Sequence, residues 1–143
     1  MSHAWGGRSD FEDGKADDLS RLGYAAMALD LYGQGVRGSG PEETAALMQP
    51  FLDDRSMLQQ RLLVSLATLR EQDEVDAGQV AAIGFCFGGL CVLDIARTGE
   101  DLAGVVSVHG LFGAPGNTAG TPVRAKVLAL HGWNDPMAPP DAV

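Results

Sequence analysis

Cationic side chains are scarce in this chain: ten Lys and Arg stand against nineteen Asp and Glu, for a net charge of -9 and a pI near 4.5 over 143 residues. A nucleic-acid surface needs clustered Lys and Arg to displace counterions, so polyanion binding is disfavoured. Cysteine is nearly absent as well. Cys86 and Cys91 lie five positions apart, a poor spacing for a disulfide and too few ligands for a zinc site, so both are expected to be reduced. No apolar run approaches the roughly 20 residues of a membrane helix, and the N-terminal residues carry neither the basic nor the apolar region of a secretory signal. The reading that follows is a cytoplasmic protein with no membrane partner. Histidine is sparse too: His3, His109 and His131 are the three in the chain, and none follows Asp135.

What is present is 45% hydrophobic content, enough for one domain over residues 1–143 with a core of its own. Asp10 to Leu22 reads as a helix capped by Asp10 and closed by Gly23. Tyr24 to Leu31 is continuously apolar and reads as a strand buried on both faces. Four glycines between Tyr32 and Gly40 make a loop. Pro41-Glu42-Glu43 opens a helix, with Pro in the first turn and acids near its positive end. A longer helix spans about Asp53 to Glu71, where Leu58, Leu62, Leu66 and Leu69 recur at helical spacing and form a core-facing stripe. Val80 to Ile83 is the next strand, followed by a tight turn and a helix to Thr98 closed by Gly99. Ala103–Val108 and Ala125–Leu130 are two further strands, separated by a Gly- and Pro-rich loop from Gly110 to Pro122. Strand and helix alternate, so the fold class is α/β with a mostly parallel sheet flanked by helices.

The stretch Gly84-Phe85-Cys86-Phe87-Gly88-Gly89 carries the chemistry. It places a thiol at the centre of a Gly-x-nucleophile-x-Gly pattern between a strand and a helix, the context of a nucleophile elbow. A lone Cys is more often a buried structural thiol, and it is also a metal ligand in other settings. The glycines on both sides of Cys86 favour the nucleophile. The helix start would present N–H groups and positive dipole charge to the sulfur, and the Phe87 N–H would be one donor of an oxyanion hole. A second donor is expected from His3-Ala4-Trp5-Gly6-Gly7, whose glycines allow close backbone approach; the plain alternative is a disordered terminus. Asp135 lies just past the fourth strand, where ligands gather in open α/β sheets and where an acid would orient a base. An Asp before Pro is also an ordinary turn former. His109 and His131 each end a strand, and for both a local hydrogen bond is the plainer reading than a base.

Gly84-Phe85-Cys86-Phe87-Gly88-Gly89, His131-Gly132-x-x-Asp135-Pro136 and Ala28-Leu29-Asp30-Leu31-Tyr32-Gly33 together resemble the dienelactone hydrolase family of α/β-hydrolases. The resemblance runs from His3 onward. It implies a carboxylic-ester or lactone hydrolase working through an acyl-enzyme on small molecules, without a cofactor. Cys86 would attack the carbonyl, the backbone N–H groups of Phe87 and Trp5 would hold the oxyanion, and Asp135 would orient a His. Three departures accompany it. The family's catalytic His matches no position and would lie beyond Val143, Ala4 stands where members carry an acid, and the strand that should precede His3 is absent. That strand would sit mid-sheet, between Tyr24–Leu31 and Val80–Ile83. The expectation is therefore an incomplete α/β-hydrolase domain, truncated at both ends, with weak ester hydrolysis. A non-catalytic binding module is the competing reading, and incomplete sheet edges would then favour a homodimer or strand exchange. A thiol redox protein is weaker, since no resolving Cys sits at a suitable spacing.

Overall fold

The computed structural model describes residues 1–142. Helix α1 (Asp10–Arg21) is capped by Ser9 rather than Asp10. Ser9 Oγ accepts the Phe11 N–H, while the Glu12 carboxylate turns back to accept the Ser9 N–H at 2.9 Å, a reciprocal box that satisfies donors at both positions. Helix α2 (Pro41–Asp53) begins at the Pro, as expected. Helix α3 (Arg55–Arg70) starts two residues later than the expected Asp53, because Asp54 takes the cap and accepts the Met57 N–H at 2.9 Å. Strand β1 (Ala81–Phe85) leads into α4 (Phe87–Arg97), and β2 (Gly104–Val108) and β3 (Lys126–Leu130) follow. The loop between β2 and β3 also holds one short 3-10 turn, Gly116–Thr118.

The sheet runs β1-β2-β3, all parallel, with Phe85, Val108 and Leu130 level at its C-terminal end. Helix α4 packs on β1 and β2, α3 packs on α4, and the Leu58, Leu62 and Leu66 stripe is buried as its spacing requires. Phe11 of α1 meets Phe85 edge-on at 5.1 Å. Since side chains alternate along a strand, and Gly84 faces α4, α1 lies across the opposite face. The core is mainly α3, α4 and the inner face of the sheet. Strand β3 is exposed along its length, with Val127 and Leu128 each 51% accessible.

The expected strand Tyr24–Leu31 does not form. Leu29 makes a single parallel bridge, to Ser2, which also bridges Gly84. The slot between the two segments is thus entered by Met1 and Ser2: Ser2 N–H donates to Ile83 at 2.8 Å, and Leu29 N–H to Met1 at 2.8 Å. Beyond that bridge the Met1 ammonium donates to the Met27 carbonyl at 2.7 Å, and among the described residues no ladder forms along 24–28.

A buried carboxylate links α3 and α4 to the segment that follows β2. Asp94 on α4 is fully buried and receives Arg55 of α3 at 2.6 and 2.5 Å, with Arg97 at 3.4 Å. Both arginines continue to carbonyls of the segment after β2, Gly113 and Phe112. Removing one member of such a network strands the rest in low dielectric. Asp94→Ala is expected to cost about 3 to 5 kcal/mol, read from urea denaturation, because Arg55 and Arg97 lose their counter-charge.

Candidate active site

Cys86 leaves β1 with φ 54 and ψ -113, a left-handed backbone that a non-glycine residue adopts only under constraint. Two neighbours impose it. A Cβ on Gly84 would lie 1.9 Å from the Gly88 carbonyl oxygen, and a Cβ on Gly88 would lie 2.3 Å from the Ser2 oxygen. Only with both side chains missing can strand, helix and N-terminal loop close on one another. The Cys86 N–H donates to Val108 at 2.9 Å, and its carbonyl accepts Gly89 at 2.9 Å, so its backbone is fixed on both sides while its side chain caps nothing. Cys86 as a residue is partly buried, whereas Cys91 is buried and its thiol pushed up by desolvation.

The first helical N–H, that of Phe87, has no hydrogen-bond partner among the described residues. The same is true of the Trp5 N–H. The loop carrying Trp5 is ordered by contacts that sequence reading did not anticipate. His3 is fully buried; its Nδ1 donates to the Ala4 carbonyl at 2.6 Å and its Nε2 accepts the Leu31 N–H at 3.1 Å. Those two bonds define one neutral tautomer. Tyr32 donates its hydroxyl to the Trp5 carbonyl at 2.6 Å, and its ring packs against His3, Phe51 and Phe87. Asp30 accepts the Gly33 and Gly35 N–H groups and shapes the turn that follows. The Asp-Leu-Tyr-Gly segment is therefore the scaffold of the Trp5 loop. The signal for it was the segment's own apolar-acid-aromatic pattern.

Asp135 is brought to the same edge. Its side chain is 9% accessible, Oδ1 accepts the Met137 N–H at 2.9 Å, and Oδ2 lies 2.8 Å from His109 Nε2 and 3.4 Å from His131 Nε2. The Met137 N–H, with the two imidazoles behind it, lowers the Asp135 pKa below its ordinary value. Asp135 thus holds its own turn through Oδ1 and faces the two imidazoles with Oδ2. His131 also approaches the Ala138 carbonyl at 3.1 Å and packs edge-on against Phe112, which is a strand-end bonding role. No group of three or more His, Cys, Asp or Glu able to hold a metal occurs among the described residues, and no helix among them is long and apolar enough to cross a membrane.

Comparison with known proteins agrees with this architecture. The sequence profile of the dienelactone hydrolase family matches residues 1–143. Two solved structures superpose closely: m3DLH at 37% identity and a TM-score of 0.91, and a dienelactone hydrolase-like promiscuous phosphotriesterase from metagenomic libraries at 34% and 0.89. Each is matched over 99% of this chain but 59% of its own length, so the chain spans about three fifths of these relatives. An uncharacterized protein of Caenorhabditis elegans is 42% identical over 59 residues, 41% of this chain and 37% of that protein.

Two outcomes test the construction of the site. Gly84→Ala should unfold the elbow or leave the chain insoluble, whereas Gly14→Ala, on a helix position with nothing within 4 Å, should raise stability by about 0.5 to 1 kcal/mol; comparative thermal melts separate the two. Burial lowers the His3 pKa below its ordinary 6.5. The unfolded chain then binds a proton in a range where the folded chain does not, so this contribution is present above pH 6.5 and is lost as pH falls from there toward the folded value. Denaturation at pH 7.5 and 5.5 should show that loss in the wild type and a smaller one in His3→Asn.

Proposed function

The chain belongs to the dienelactone hydrolase family, and from that premise we propose that it is a hydrolase of carboxylic esters or lactones that uses Cys86 as nucleophile through an acyl-enzyme. The observation that carries this reading is the left-handed Cys86 at the junction of β1 and α4, beside a Phe87 N–H with no partner. A side chain held this way is presented past the end of the sheet, and the free helix N-terminus meets whatever negative charge develops next to it.

In the first step the Cys86 sulfur attacks the carbonyl carbon and the carbonyl oxygen becomes an oxyanion. Phe87 and Trp5 N–H groups are the donors proposed to hold it; Trp5 would be aimed through the Tyr32 bond to its carbonyl. Collapse expels the alcohol, or opens the lactone ring, and leaves a thioester on Cys86. Water then attacks the thioester and releases the acid. The role proposed for Asp135 is to hold an imidazole in its reactive orientation. Small neutral esters suit the acidic surface, and phosphotriesters form a second class to assay because a relative of similar fold is described as acting on them.

Incubation with a nitrophenyl ester should give slow turnover and an acyl adduct on Cys86 detectable by intact mass. Cys86→Ala should lose the adduct and at least about a thousandfold of the rate. Turnover that survives Cys86→Ala would sink the reading.

A further inference from the structure

The Trp5 N–H and the Ala4 carbonyl are the two ends of one peptide unit, and in a trans peptide they point in opposite directions. Whatever holds the Ala4 oxygen therefore sets where the Trp5 N–H points. Two donors hold it: the His3 Nδ1–H at 2.6 Å and, across the turn, the Gly7 N–H at 3.2 Å. Among the described residues nothing accepts the Trp5 N–H itself. The loop rests on the start of α4, since a Cβ on Gly88 would lie 2.3 Å from the Ser2 oxygen and 2.7 Å from the His3 oxygen. The unpaired N–H thus belongs to a turn that begins one residue beyond the backbone packed under Cys86.

A neutral imidazole has two tautomers, and the far nitrogen of His3 selects between them. The Leu31 N–H donates to Nε2 at 3.1 Å, so Nε2 offers a lone pair and the ring proton sits on Nδ1. That proton is the one given to the Ala4 oxygen. The ring is fully buried, with Tyr32 edge-on at 4.7 Å and Phe87 at 6.4 Å, and has no room to turn away. Leu31 is fixed in its turn: it is buried in the core, and its carbonyl accepts Arg61 of α3 at 2.7 Å. A chain of bonds therefore runs from α3 through Leu31 and His3 to the peptide that carries the Trp5 N–H.

We propose that His3 is a positioning residue for the oxyanion: its Nδ1–H, fixed in place by Leu31, aims the Trp5 N–H. This deepens the hydrolase reading and rests on Trp5 as the second oxyanion donor. His3 touches neither thiol nor substrate and acts only through the Ala4–Trp5 peptide. Substitution separates the two halves of its role. The amide nitrogen of an Asn overlays Nδ1 and still donates to Ala4, whereas the amide of a Gln overlays Nε2 and reaches Leu31 alone.

Nitrogen-15 NMR of the wild-type imidazole at pH 7.5 should show a protonated Nδ1 and a bare Nε2; the opposite tautomer overturns the proposal even if neither variant folds. Amide relaxation then reads the loop. Trp5 should be ordered, with S² about 0.85, in the wild type and in His3→Asn, and should drop toward about 0.6 in His3→Gln. Butyraldehyde probes the oxyanion site: its carbonyl carbon bonds to Sγ of Cys86, the π electrons move to oxygen and the thiol proton ends there. Its occupancy is read as protection of Cys86 from iodoacetamide. His3→Gln should bind it about tenfold more weakly and His3→Asn within about threefold of the wild type. Iodoacetamide alone builds no oxyanion and should alkylate all three at similar rates. Equal Trp5 order in the wild type and His3→Gln, or a measurable and equal aldehyde affinity, overturns the proposal. Trp5 order that depends on His3, in a chain that binds no aldehyde, supports the hold on the peptide and removes the hydrolase reading; tight aldehyde binding that ignores His3 does the reverse.

Discussion

Backbone packed against backbone under Cys86 is the constraint on which the rest of the site depends. Gly84 in β1 meets Gly88 in α4, and Gly88 in turn meets Ser2 and His3 of the N-terminal loop. These contacts leave no room for a methyl group, so three separate segments are held at van der Waals distance by the absence of side chains. That closeness sets the abrupt exit of Cys86 from its strand. It also places the Trp5 loop against the first turn of α4, where two N–H groups stay unpaired. The contrast is with the start of α1, where the Ser9 and Glu12 box pairs the first donors.

Parallel register extends the same logic sideways. Because β1, β2 and β3 end at one level, the residues that follow them are neighbours without being close in sequence. Asp135 joins them through a turn only four residues past His131, and its carboxylate is shared between two imidazoles. Burial and the Met137 N–H keep it fixed. The polar edge of the sheet is thus assembled from side chains that a linear reading places far apart.

Much of this was legible in the sequence, and where it was not the cause is physical. Helix and strand spans followed from leucine spacing, Pro41, Gly99 and the apolar runs, and the elbow followed from its glycines. The expected strand at Tyr24–Leu31 failed because a strand is a property of a pair: apolar content selected the segment, and among the described residues its pairing is one bridge between Ser2 and Leu29. The cap at Ser9 was misplaced by one residue because Asp10 is an equally good capping residue by type, and the capping box with Glu12 decides between them only in three dimensions. Asp94 gave no signal at all, since an acid in an apolar helix reads as an exposed position until its arginine partners are seen.

His109 shows the same limit at the site. In sequence it is a histidine at a strand end, a place where a local hydrogen bond is the ordinary explanation. What distinguishes it is its backbone at φ 56, its exposure and its position across from Cys86, the last of which depends on two strands ending level. His131 meets the same description in sequence, and in the structure it is buried against Phe112 and Ala138. Accessibility, which composition does not encode, separates the imidazole packed at a strand end from the one left open at Asp135. The division of labour follows: His3 ties the N-terminal loop to Leu31, His131 ties the end of β3 to Ala138, and His109 is the accessible imidazole at Asp135.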